Sequence, residues 1–381
     1  MSASNPQHVT DGGDHVTPIF GLTKSQLRPI VESIVSGETV ASFEVGVRHQ
    51  VRGPYGIRAE KVIPTFSYTT TSGCTGRTTV FVKRYYDPGP REAHHYAYLA
   101  NHDAPIPRMY ASLTGQDQRE TLFLEYLDAV TDDDPYYLEH YQAFLHDGHS
   151  FSHFLAAIAH FNAIRPSPEY EARLREDMAQ RPGPPGWSWE RRMATAASVL
   201  NRIDEGARRG ELGGPLAQLS SGAALRPLCR LAERLVEPIG QMETGLCVND
   251  FYPHGTGWRR QTGELLIFDL EAVGFEARFY DVAPWLGAPD DVQPRCRPRK
   301  ELAWYYLQQY VRWGGCPVRV DDFLEETRIL WLAWTLQMLS WWLGEAINGP
   351  VDRTIKDSPE YRLANRDELH RRLSHLIHQR V

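Results

Sequence analysis

Several features that would have set the class of this chain at once are missing from it. Among 381 residues there are five cysteines, Cys74, Cys229, Cys247, Cys296 and Cys316. They are widely spaced and form no C-x-x-C pair, so neither a disulfide framework nor a zinc site is indicated. Basic charge is not in excess: the formal net charge is −7, which argues against a general nucleic-acid binder. The most apolar run, residues 330–343, is too short to span a bilayer and is broken by Thr335, Gln337 and Ser340. Residues 1–14 show neither the basic nor the apolar region of a secretory signal, so a reduced cytoplasmic setting with no membrane partner is expected. No G-x-x-x-x-G-K-[ST] occurs, which excludes a Walker-type phosphate loop. No repeat of 20–50 residues is visible, which excludes a solenoid.

What is present is ordinary in bulk and particular in detail. Hydrophobic residues make up 42% and charged residues 23%, as in a soluble globular protein long enough for two domains. Ten Trp, eighteen Tyr and fourteen Phe are a heavy aromatic load, read as large cores, with an aromatic ligand pocket as the alternative. Residues 1–16 read as a loose tail, and 23–36 as a short helix capped by Thr23. Period-two alternation over 40–47, 61–71 and 78–85, joined by Gly-bearing turns, predicts an antiparallel meander. A helix is expected over 90–101 with Pro90 near its first turn, then strands over 109–112 and 121–125. Beyond residue 128 the texture becomes helical, with helices expected over 140–163, 189–207, 225–235, 300–313, 321–346 and 366–378. The expected division is a tail (1–16), a β-rich N-terminal domain (17–128) and an α-rich C-terminal domain (129–381).

The chemistry concentrates in Leu246-Cys247-Val248-Asn249-Asp250-Phe251-Tyr252-Pro253-His254-Gly255 and Leu265-Leu266-Ile267-Phe268-Asp269-Leu270-Glu271. Each aspartate follows an apolar run, and a strand returning beside the first segment would deliver both carboxylates to one cleft. Phosphoryl transfer from a nucleotide needs one carboxylate to orient an acceptor hydroxyl and another to hold metal on the phosphates. Asp250 is the candidate catalytic base. Asp269 is the candidate Mg²⁺ ligand, and Glu271, two residues along an expected strand, would face the same way. Lys83 ends the apolar strand Val80-Phe81-Val82 and is a candidate for the phosphates, with Glu92 on the following helix as its partner. Gly53 and Gly56, in Arg52-Gly53-Pro54-Tyr55-Gly56, would let backbone N–H groups approach phosphates, although a turn between strands needs glycine as well.

The order of these parts resembles the aminoglycoside phosphotransferase and choline kinase-like superfamily of small-molecule kinases. Asn249-Asp250-Phe251-Tyr252-Pro253 is similar to its catalytic loop, H-[GN]-D-x-x-x-x-N, and Ile267-Phe268-Asp269-Leu270-Glu271 to its I-D-[FW]-[ED]. Phe279-Tyr280-Asp281-Val282-Ala283 is similar to its Y-D-L-A segment, whose aspartate braces the catalytic loop. Arg91-Glu92 and Ile106-Pro107-Arg108 resemble the lobe-bridging helix and the turn after it. Two positions depart: Val248 stands where the family has His, and Gly255 where it has the Asn that ligates metal.

The resemblance implies an α+β, protein-kinase-like bilobal fold with a small antiparallel β N-lobe and a larger helical C-lobe. It implies ATP and Mg²⁺ as cofactors and a small-molecule acceptor bearing a hydroxyl, such as an aminoglycoside, choline-like amine or sugar. A nucleotide-binding pseudokinase is the alternative reading, given Val248 and Gly255. Glu125, Tyr126 and Leu127 resemble the hinge whose backbone would meet adenine. Helices late in the family form the acceptor pocket, which points to Trp331, Trp334 and Trp341, with Asp290 and Glu345 as contacts for an amino group; helix packing is the alternative for the tryptophans. The acidic run Thr131–Pro135 reads as a solvated helix start or a cationic attractor, and His146, Asp147, His149 and His153 as a surface cluster more readily than as metal ligands.

Overall fold

The computed structural model describes residues 16–51, 59–89, 91–129, 143–180, 187–210, 222–348 and 359–377. Two compact units divide the chain: residues up to His94 together with Arg108–Tyr126, and residues His95–Pro107 together with those from Leu127 onward.

In the first unit, helix α1 (Lys24–Ile34) begins at a capping box in which the Thr23 side chain accepts from the Gln26 N–H and the Gln26 side chain answers at the Thr23 N–H. Five antiparallel strands follow: β1 (Val40–Val51), β2 (Ala59–Thr70), β3 (Thr75–Pro88), β4 (Met109–Thr114) and β5 (Arg119–Glu125), in the sheet order β1-β2-β3-β5-β4. Between β3 and β4 lies helix α2 (Ala93–Ala100), which crosses from the first unit to the second. Leu27, Ile30 and Val31 of α1 pack with Phe43, Val62, Phe66, Val80, Val82 and Phe123 in one core. Alternation along β3 therefore sends Val80 and Val82 into this core and turns Lys83 to the other face of the sheet.

The second unit holds β6 (Asp128–Ala129), then helices α3 (Gly148–Ala163), α4 (Pro168–Gln180), α5 (Trp189–Arg208) and α6 (Gly222–Gly240). Four short strands come next, β7 (Thr244–Cys247), β8 (Thr256–Arg259), β9 (Glu264–Ile267) and β10 (Gly274–Ala277). Helices α7 (Ala283–Leu286), α8 (Arg299–Arg312), α9 (Val320–Asn348) and α10 (Pro359–Ile377) complete it. The strands form a β10-β7 pair and a β6-β8-β9 sheet, and α3 packs against both β7 and β9.

Three local expectations change. The helix expected over 140–163 is interrupted at Asp147, whose carboxylate accepts from the His149 and Ser150 N–H groups and starts α3 afresh, while residues 143–146 form a separate helical turn. Helix α4 carries only Tyr170 and Leu174 as buried residues, too sparse an apolar stripe to mark it in the sequence. Glu92 lies one residue ahead of α2, not within it. The expected tail (to residue 15), Pro90, the acidic run at 131–135 and His378 lie outside the described residues. Among the described residues no helix is long and apolar enough to cross a membrane.

Candidate active site

In the first unit the Lys83 ammonium meets the Glu92 carboxylate, Nζ to Oε1, at 2.6 Å, with both residues buried at 5% and 0% exposure. The face of Tyr85, two residues along β3, lies 4.8 Å from the same Nζ. Glu92 is placed by a residue the sequence reading missed. The Glu120 carboxylate on β5 accepts from the backbone N–H groups of Arg91, Glu92 and Ala93 at 3.2, 2.8 and 3.3 Å, capping the start of α2 from across the fold. Two charges taken out of water are held only when paired and bonded, so this pair specifies one geometry for the ammonium.

Glu125, expected at the hinge, is already engaged. Its N–H donates to the Arg108 carbonyl at 2.8 Å, and its side chain accepts from the Arg108 N–H at 3.1 Å. Tyr126 is 37% exposed and Leu127 is half-buried. Gly53 and Gly56 lie outside the described residues.

In the second unit the two aspartates sit on adjacent loops that are tied at both ends. Cys247 of β7 pairs with Gly274 of β10, which closes one end of the segments 248–255 and 268–273. Thr256 of β8 pairs with Ile267 of β9, and the Phe268 N–H donates to the Gly255 carbonyl at 2.8 Å, closing the other. Asp250 is exposed on its loop. Beneath it Phe251 stacks on Phe154 at 4.1 Å, and the Trp285 indole N–H donates to the Phe251 carbonyl at 3.2 Å.

Asp281 supports the start of this loop. Its carboxylate accepts the Val248 and Asn249 N–H groups, each at 2.8 Å, and the Asn162 amide at 3.1 Å. Asn162 in turn donates to the Leu246 carbonyl and accepts from the Tyr306 hydroxyl. The bracing aspartate implied by the resemblance is therefore in contact with the loop. Burial pushes its carboxyl up to about 6, against the pull of the three donors.

Asp269 adopts a left-handed backbone, φ 64° and ψ 63°, and a 3-10 turn follows over residues 270–272. Strand β9 has already ended at Ile267, so the alternation expected to align Glu271 with Asp269 does not operate. The turn does the alignment in its place: the two residues offer carboxylate oxygens within 4.8 Å of each other. Gly255 is buried, and a Cβ built on it would stand 3.6 Å from the Phe268 carbonyl and 3.8 Å from that of Asp250, in ordinary contact.

The expected acceptor residues are placed less favourably. Trp331 is 1% exposed, edge-on to His375, and Trp334 is 8% exposed, edge-on to Trp342 with the Arg372 guanidinium over its face. Both are buried in α9 against their neighbours, as helix-packing residues are, among the described residues. Trp341 is half-buried on the same helix, and the side chain of Glu345 lies outside the described residues. Asp290 is committed to Arg295 at 3.0 Å and to the Arg299 N–H that opens α8, which makes it a cap and an ion-pair partner. His149 and His153 flank the ring of Trp258 at 5.5 and 5.2 Å. A second unanticipated element is the buried pair of Arg192 on α5 and Glu276 on β10. Residues 84 positions apart give no local sign of such a bond. Burial pushes the Glu276 carboxyl up while Arg192 opposes the change.

No family model and no curated protein matches the sequence. Solved structures do. A putative aminoglycoside phosphotransferase from Ralstonia eutropha JMP134 is 14% identical, covers 91% of this chain and 97% of its own, and superposes with a TM-score of 0.50. An ethanolamine kinase from Plasmodium vivax is 12% identical over 86% of this chain and 82% of that one, with a TM-score of 0.48. An aminoglycoside-3'-phosphotransferase of type VIII is 19% identical over 76% and 93%, with a TM-score of 0.36. At the level of fold, this chain is α+β and protein-kinase-like, as the R. eutropha structure is.

Proposed function

We propose that the protein is an ATP-dependent phosphotransferase that phosphorylates a hydroxyl of a small molecule. The observation that carries this reading is the closure of the Asp250 and Asp269 loops on each other by strand pairing at both ends. Fold likeness alone does not assign chemistry, so the residues must supply it.

In this reading Asp250 accepts a hydrogen bond from the acceptor hydroxyl and aims its oxygen at the γ-phosphorus. As the new O–P bond forms and the bond to the β-phosphate oxygen breaks, the hydroxyl proton passes to the Asp250 carboxylate and ADP leaves. Lys83, held rigid by Glu92, places its ammonium on the α- and β-phosphate oxygens. Glu125, Tyr126 and Leu127 are the candidates for the adenine end. Asp269 and Glu271 fit a hard divalent cation, because their paired carboxylate oxygens approach within 4.8 Å. Bound there, Mg²⁺ would neutralise phosphate charge.

A second reading, a nucleotide-binding protein without turnover, is favoured by Gly255, which offers no side chain where the resembling family has a metal ligand. Mg²⁺-dependent ATP consumption against a panel of hydroxylated metabolites, with product mass as the readout, tests the first reading. Turnover is expected to vanish in Asp250→Ala with nucleotide affinity nearly unchanged; wild-type rates in that variant would remove Asp250 from the role. Gly255→Asn separates the two readings, since the Cβ it adds would meet only ordinary contacts. A large gain in rate indicates a damaged site, and a loss indicates one adapted to glycine.

A further inference from the structure

Asn249 carries three unusual features together. Its backbone is left-handed, φ 67°, a conformation that costs a non-glycine residue free energy and that Asn tolerates better than most. Its amide Nδ2 donates to the Ala272 carbonyl at 2.9 Å, the last residue of the 3-10 turn that follows Asp269. Its Oδ1 is buried and has no hydrogen-bond partner among the described residues, which costs about 1–3 kcal/mol. The reverse orientation of the amide would set two carbonyl oxygens against each other, so the donor direction is determined by its surroundings.

A side chain kept for packing would not retain both a strained backbone and an unsatisfied acceptor. A side chain kept for its single N–H would. Asn249 immediately precedes Asp250, and Ala272 lies three residues beyond Asp269, so this one bond joins the two loops between their strand-paired ends. Val248, buried beside it, has no polar group to share the task.

We infer that Asn249 is a positioning residue that locks the turn carrying Asp269 and Glu271 to the loop carrying Asp250, in place of a polar side chain at 248. This rests on the proposed phosphotransferase reading for its kinetic consequence, but not for its structural one.

The test uses two substitutions that both tolerate the left-handed backbone. Asn249→Gly removes the bond and the side chain; Asn249→Asp keeps the shape but sets a carboxylate oxygen against the Ala272 carbonyl. A packing role predicts that Asp is tolerated better than Gly. A donor role predicts the reverse order. In the 381-residue chain at pH 8, Asn249→Gly is expected to raise the half-saturating Mg²⁺ concentration for turnover roughly tenfold, the loss of one hydrogen bond, and Asn249→Asp to raise it further. Amide exchange supplies a readout without turnover. The Val273 N–H, bonded to the Leu270 carbonyl at 3.1 Å within the same turn, is expected to exchange faster in both variants, more so in the Asp variant. Asp behaving better than Gly in either measurement, or Val273 exchange equal to wild type in both variants, overturns the inference. Faster Val273 exchange in the stated order in a protein that shows no turnover supports the positioning bond and refutes the phosphotransferase reading separately.

Discussion

Replacing Asp281 by Asn keeps the side chain's size and takes away its charge and one of its acceptors. In the folded protein Oδ1 accepts from Asn249 and Oδ2 from Val248 and Asn162. An Asn at this position presents one oxygen, so its NH2 faces one of the two loop N–H groups, leaving that donor unsatisfied at a cost of about 1–3 kcal/mol. Offsetting this, the charge no longer has to be buried. Net stability at neutral pH is then a small difference of opposing effects, and its pH dependence is the sharper measurement. Burial moves the Asp281 carboxyl from 3.8 to about 6, so the folded chain holds a proton that the unfolded chain releases. The stability gained from holding it is fully present below about 3.8 and lost as pH rises through about 6, a change of about 3 kcal/mol.

Urea denaturation of the wild type and Asp281→Asn across that window isolates the group, because other titrations are shared. The wild type is expected to lose about 2 kcal/mol relative to the variant on going from about pH 4 to about pH 7. Loop order follows the opposite trend. The ionised carboxylate is the form that accepts both N–H groups, so protection of the Val248 and Asn249 amides, and turnover with it, should rise as pH passes 6. In the variant both profiles lose that step. A stability difference that stays flat across the window, together with unchanged protection at Val248 and Asn249, would refute the account of Asp281.

Two further perturbations probe the parts of the fold that hold the site. Glu92→Ala removes the carboxylate bonded to the buried Lys83 ammonium and is expected to lower stability by roughly 3–5 kcal/mol, whereas Lys83→Met combined with Glu92→Leu recovers most of it while remaining inactive. Thermal or chemical denaturation decides this, and a loss under about 1 kcal/mol in Glu92→Ala contradicts the pairing. At Gly274 an added Cβ would fall 2.5 Å from the Met178 sulfur and 3.1 Å from the Asn249 amide nitrogen. Gly274→Ala is therefore expected to cost about 1–3 kcal/mol, and Met178→Ala in the same chain to restore much of it; no restoration would place the crowding elsewhere.

Local signals were legible and distant ones were not. Thr23 and Gln26 announce the start of α1 three residues apart, and the alternation around Val80 and Val82 places Lys83 on the opposite face of β3. Asp250 and Asp269 stand out because apolar runs precede them, and Asp281 through its likeness to a Y-D-L-A segment. Glu120, which caps α2 from β5, and Arg192, which pairs with Glu276, have partners far along the chain, and nothing in their own neighbourhoods marks them. Glu271 was paired with Asp269 through strand alternation, whereas a left-handed residue and a 3-10 turn bring them together. The tryptophans of α9 left two readings open. Their spacing suited a pocket as well as a helix interface, and only burial distinguishes the two.

The β8–β9 hairpin has one more consequence. Its strands hold the register between Thr256 and Ile267, while its tip, at residues 260–263, faces solvent, with Arg260 bonded to the Asp128 carboxylate. Extra residues or a fluorescent reporter at the tip would leave the Thr256–Ile267 pairing as it is. A single residue added on either arm would shift the register of β8 against β9 and so disturb the Thr256–Ile267 pair that closes the two loops. Tolerance to insertion should thus change abruptly within a few positions.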